Sequence, residues 1–152
     1  MTILAKFFRF SVLITMCVPT LAFAHSSDDG SGFIAGLTHP IFGVDHLLAM
    51  VSVGILSSLI GHRHILLVPL AFVSSMAAGA IVGIFQVDLP HGEFWIAISV
   101  VVLGLSIAVG HKGIPLFMIY GFISLFGVFH GYAHGVEMPN SASPAFYSFG
   151  FI

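Results

Sequence analysis

Residues 114–139 read IPLFMIYGFISLFGVFHGYAHGVEMP, an apolar run with no Asp, Glu, Lys or Arg before Glu137. Such a run is long enough to cross a hydrocarbon core of about 30 Å as a helix, which takes roughly 20 residues. Its C-terminal end has a different character. His130, His134 and Glu137 stand at i, i+4 and i+7, and at about 100° per residue they fall within roughly 60° of one another. Ionisable groups on one face of a membrane helix are expensive to hold in lipid, so this stripe is a functional-site candidate.

Composition extends that reading to the whole chain, which is 58% hydrophobic and 7% charged with a mean hydropathy of +1.11. A soluble domain carries about a quarter charged residues, so the expected fold class is all-α, a polytopic transmembrane helical bundle. Four Lys and Arg against six Asp and Glu give a net charge of -2. No basic face is available for nucleic acid.

Residues 1–24 read as a cleavable signal peptide. Lys6 and Arg9 supply a positive start, Phe10 to Val18 a short apolar run, Pro19 a break, and Ala22-Phe23-Ala24 a small-x-small cleavage site before His25. The alternative, a retained first helix, suits the run less well because it is shorter than the roughly 20 residues a span needs. The sole cysteine, Cys17, falls inside this segment, so a processed chain offers neither disulfide nor thiolate ligand.

Residues 25–152 then form the transmembrane domain, cut by polar punctuation into four complete spans and a fifth cut short. The first span runs from about Phe33 to Ile60, the second from Ile65 to Gln86, the third from Phe94 to Gly110 and the fourth from Ile114 to about Met138. The fifth starts near Pro144, and the stretch from Ala145 to Ile152 makes only about 12 Å of helix. Cleavage places His25 outside, which makes the Arg63 and Lys112 loops cytoplasmic, in agreement with the positive-inside rule. Gly79 and Gly83, and likewise Gly131 and Gly135, form small-xxx-small pairs that permit close helix approach.

A second polar constellation lies in the first span, HPIFGVDHLLAM over residues 39–50. Pro40 suits the first turn of a helix, which sets Asp45 and His46 one to two turns into the span. The expected topology turns this end and the end of the fourth span to the same side of the membrane. A shared site follows, with Asp45 or His46 within about 8 Å of His130 or His134.

Geometry constrains that site. His130 and His134, about 6 Å apart along the axis, can chelate one ion. Asp45 and His46 are about 100° apart on a helix, so one of them points at the fourth span and the other stands behind it. His39 and His46 lie about 10 Å apart on an unbroken helix, too far for one ion unless the backbone bends near Gly43. The carbonyl end of the fourth helix favours a cation near His134 and Glu137.

The candidate metal ligands are therefore His39, Asp45, His46, His130, His134 and Glu137. Imidazole and carboxylate without thiolate suit nickel, zinc, cobalt or manganese better than calcium or magnesium. The plain alternative for any single histidine is an interhelical hydrogen bond worth roughly 1 kcal/mol. His62, His64, His91 and His111 read as loop residues at the interface, and His25 beside a new amino terminus as a weak capture site. Met50, Met76 and Met118 read as apolar filler.

HPIFGVDHLLAM and FHGYAHGVEMP resemble the two signature motifs of the HupE/UreJ family of hydrogenase and urease accessory membrane proteins, and GFIAGLTHP after a signal peptide fits as well. The resemblance runs from about His25 to Ile152. It implies a permease of the bacterial inner membrane, with the mature N-terminus periplasmic. Nickel would be its transported substrate, and the six motif residues above the ones that handle the ion.

The expected partners are a divalent metal ion and the lipid bilayer, with a homo-oligomer left open. No organic cofactor is expected and no enzyme activity. No Gly-rich Lys-Ser/Thr segment occurs, so direct ATP drive within this chain is not expected. Two other functions compete. One is a membrane-embedded zinc-dependent hydrolase with Glu137 or Asp45 as general base. The other is a nickel-binding chaperone or sensor.

Overall fold

The computed structural model describes residues 32–110 and 113–152. The signal-peptide reading, His25, His111 and Lys112 lie outside the described residues. Within them the chain is all-α: α1 Phe33–Phe42, α2 Val44–Ile60, α3 His64–Ile84, α4 Gly92–Val109, α5 Leu116–Val136 and α6 Pro144–Phe151. Three helices, α3, α4 and α5, are long and apolar enough to cross a membrane. The number becomes four if the bent pair α1 and α2 is taken as one span.

The helices stop where the sequence supplies residues that cannot continue them. Gly61 (φ 141°) ends α2 and Gly110 (φ 92°) ends α4, in a region of backbone space that costs glycine nothing. Pro144 opens α6 at its first turn, where its missing N–H would have no helical partner anyway. Large apolar side chains such as Leu66, Val109 and Phe117 are more than three-quarters exposed. Such a surface is stable against acyl chains and costly against water.

The closest packing joins α3 to α5 through their glycines. A methyl group added at Gly79 would meet the Val128 carbonyl, at Gly83 that of Tyr132, at Gly131 that of Met76 and at Gly135 that of Ala80. The register climbs together on both helices, so α3 and α5 run parallel, backbone against backbone. The two small-xxx-small pairs thus face each other. With one face of α5 committed to α3, the face carrying His130 and His134 turns to the bundle interior. There α2 supplies Ala49, Val53 and Leu56 to a core shared with Phe72, Met76, Leu103, Ile123 and Phe126.

Two local expectations are corrected. Pro40 does not open a helix; it lies inside α1, two residues before that helix ends at Phe42. Asp45 and His46 therefore stand in the first turn of a new helix, because Gly43 takes an extended conformation (φ -76°, ψ 101°) and breaks the pair at 79°. His64 is not a loop residue either. It begins α3, and its Nδ1 lies 2.8 Å from the Tyr120 hydroxyl of α5, a cross-helix bond that no local pattern announces.

Candidate metal centre

The bend at Gly43 decides which side chains meet. His39 at the end of α1 and His46 at the start of α2 have ring centroids 5.7 Å apart, the approach that an unbroken helix would forbid. His46 is also 4.6 Å from the His134 ring and 4.8 Å from the His130 ring, and His39 is 4.9 Å from His134. The two motifs thus converge within the expected 8 Å. One ligand atom from each of His39, His46 and His134 lies within 4.8 Å of the others. A bound transition metal, with bonds of about 2.1 Å to nitrogen, draws its ligand atoms somewhat closer than this, so small side-chain rotations would close the three on one ion.

The carboxylates stand behind the imidazoles. Asp45 Oδ1 accepts from the His46 backbone N–H at 2.9 Å and lies 3.1 Å from His46 Nδ1. Glu137 Oε2, just past the end of α5, lies 2.8 Å from His39 Nε2. Each carboxylate can take a ring N–H and leave the opposite nitrogen bare, the arrangement by which metal-ligating histidines are commonly oriented. Both are about half exposed, with 52% of each side chain accessible, while their imidazoles are largely covered.

Burial without partners is the second feature of the cluster. His134 is fully buried, and neither of its ring nitrogens has a hydrogen-bond partner among the described residues; the same is true of His46 Nε2. An unmade hydrogen bond of this kind costs roughly 1–3 kcal/mol, so these nitrogens are suited to a partner that is not a side chain. The helix termini add to the field. His39 and His134 each occupy the last turn of a helix, where the unpaired carbonyls favour positive charge.

Three contributors carried no signal in the sequence patterns. Phe151 of α6 stacks flat on His134, with centroids 4.4 Å apart and the rings parallel, and closes that side of the cluster. Tyr147 lies beside Phe151 at 5.5 Å with its hydroxyl buried and unpartnered among the described residues. Ser99 of α4 lies 2.8 Å from His130 Nε2. His62 is exposed in the turn before α3, His91 is exposed just before α4 with a positive φ of 62°, and neither belongs to the group of close ligand atoms.

The family model described as HupE / UreJ protein matches residues 13–152. A curated relative, Protein HupE of Rhizobium leguminosarum bv. viciae, is 39% identical over 142 residues, spanning 93% of this chain and 74% of that protein. No solved structure matches the chain.

Proposed function

The chain belongs to the HupE/UreJ family, and from that membership we propose that it is a secondary transporter moving nickel, or a similar divalent transition metal, from periplasm to cytoplasm. The imported ion would supply hydrogenase or urease maturation. The observation that carries this reading is the convergence of His39, His46 and His134 within 4.8 Å, with the nitrogens of His134 and Nε2 of His46 buried and unpartnered.

The proposed chemistry follows from the donor set. Imidazole nitrogens suit nickel, cobalt, copper and zinc, and as neutral ligands they replace hydration water without adding charge. Asp45 and Glu137, half exposed at the rim, attract the cation and offset its two positive charges while orienting the rings that receive it. Beyond His130 the interior is apolar, walled by Phe72, Leu103, Ile123 and Phe126. Leu103, Ile123 and Phe126 also line a cavity of about 160 Å³, and a shift of the helices around a fixed site, as in alternating access, would carry the ion past this apolar stretch.

Hydrolysis of a lipid or peptide substrate by the purified protein would favour the hydrolase reading, in which Asp45 or Glu137, each beside an imidazole, acts as general base. The deciding experiment is uptake of radiolabelled nickel by cells expressing the protein, with cobalt and zinc as competitors. Expression-dependent accumulation that excess cobalt or zinc reduces is the expected result. Nickel bound by purified protein but never accumulated by cells would favour a chaperone or sensor instead.

A further inference from the structure

We propose that Ser99 is a positioning residue that holds His130 as its Nε2–H tautomer, so that His130 receives the ion through Nδ1 as a second stop behind the His39, His46 and His134 cluster. The inference rests on the metal-transport reading and assigns a role to a residue outside both sequence motifs.

The hydrogen-bond arithmetic at Ser99 is closed. Its hydroxyl lies 2.6 Å from the Ile96 carbonyl oxygen and 2.8 Å from His130 Nε2. A carbonyl has no proton to give. At 2.6 Å the single hydroxyl proton must therefore point to Ile96, since otherwise two oxygen lone pairs would face each other. Ser99 Oγ is then the acceptor and His130 Nε2 the donor, which leaves the lone pair of a neutral ring on Nδ1. Both residues are essentially inaccessible, at 0% and 1% exposure, so water does not compete for the bond.

The ring is also held from its sides. Phe72 of α3 lies 5.6 Å from the His130 centroid and His46 of α2 lies 4.8 Å away. Each of His39, His46 and His130 thus has one ring nitrogen within hydrogen-bonding distance of an oxygen from another residue. For the outer two that oxygen belongs to a half-exposed carboxylate; for the inner one it belongs to a buried hydroxyl.

The difference has a physical reason. A carboxylate buried at the Ser99 position would be costly in the membrane interior and would raise the hold on a cation. A hydroxyl fixes the tautomer without adding charge, so His130 binds the ion more weakly than the rim does. Binding strong enough to admit an ion and weak enough to release it is what conduction demands.

The test uses the whole protein in lipid nanodiscs, titrated with Ni2+, alongside nitrogen-15 spectra of its histidine rings. Wild type should show His130 with a protonated Nε2 and a bare Nδ1. Two binding phases are expected, the tighter at the rim and the weaker at His130. Ser99→Ala should give a mixture of tautomers and weaken the second phase roughly tenfold, the lower end of the effect of removing such a partner, while leaving the first in place, and Ser99→Thr should restore both readouts. In a His130→Ala background Ser99→Ala should cost nothing further. A protonated Nδ1 in wild type overturns the proposal, as does an undiminished Ser99→Ala effect once His130 is gone. The wild-type spectrum decides even if a variant fails to fold. Nickel binding that survives His46→Ala and His134→Ala would sink the metal site as a whole. First-phase binding lost in those two variants, with the second phase and the tautomer unchanged in Ser99→Ala, would overturn only the role of Ser99.

Discussion

His39 and His46 flank Gly43 on two helices that meet at 79°, and their rings approach to 5.7 Å, edge to face. The bend turns two positions that a straight helix would hold about 10 Å apart into neighbours that the proposed ion could share. A methyl group added at Gly43 would sit 3.3 Å from the His39 carbonyl and 3.4 Å from both Asp45 Oδ1 and His46 Nδ1. Gly43→Ala should therefore disturb the Asp45–His46 pair before it disturbs folding. A severalfold loss of nickel affinity at normal membrane abundance is expected from titration of the purified variant, and wild-type affinity would mean that the bend region tolerates the crowding.

His134→Ala removes a proposed ligand that is fully buried between His39, His46 and Phe151. Nickel uptake should fall at least about tenfold, comparable to losing a metal-orienting partner or more. Insertion should survive, because alanine is inexpensive in a membrane helix. His62→Ala, in an exposed turn, is the control and should retain most uptake. Equal losses in the two variants would show that uptake is sensitive to histidine number and not to this cluster.

Asp45→Asn keeps size and a hydrogen-bonding oxygen beside His46 while deleting a negative charge. If the carboxylate both orients His46 and offsets the cation, nickel affinity should drop by an order of magnitude, and Glu137→Gln should act alike through His39. Matched transport by both variants at matched abundance would make these acids packing residues.

Proton competition sets the pH dependence. An imidazole must be neutral to ligate, and an ordinary imidazole gains its proton near pH 6.5, so each step down in pH favours the proton over the metal. Nickel affinity of purified protein, measured without a membrane gradient, should weaken as pH falls from about 7.5 to about 5. Affinity independent of pH over that range would argue against histidine ligation.

The parallel contact of α3 and α5 predicts a contrast among glycines. Gly131→Ala places a methyl group against the Met76 carbonyl, whereas at Gly104 and Gly121 nothing lies within 4 Å. Overpacking of this kind costs typically about 1–3 kcal/mol. Gly131→Ala should lower thermal stability in detergent, and Gly104→Ala and Gly121→Ala should leave it unchanged. Equal stability of all three would contradict the close α3–α5 approach.

Much of this protein is written locally. The apolar runs of α3, α4 and α5 and the stripe of His130, His134 and Glu137 are legible because burial in lipid and helical periodicity act over a few adjacent turns. The two polar motifs, and the need for a bend near Gly43 if His39 and His46 are to share an ion, follow from the same rules. The direction of that bend, the end of α1 after Pro40, and the places of Phe151 and Ser99 do not. A serine in a membrane helix commonly bonds its own backbone, as Ser75 and Ser106 do here, so nothing near Ser99 distinguishes it from them. Its pairing with His130 exists only because α4 and α5 pack side by side in the fold. The same holds for which oxygen faces which imidazole nitrogen. Sequence determines which groups are available and on which helix face they stand, while their partners are chosen by packing between segments far apart in the chain, and only the tertiary structure decides that.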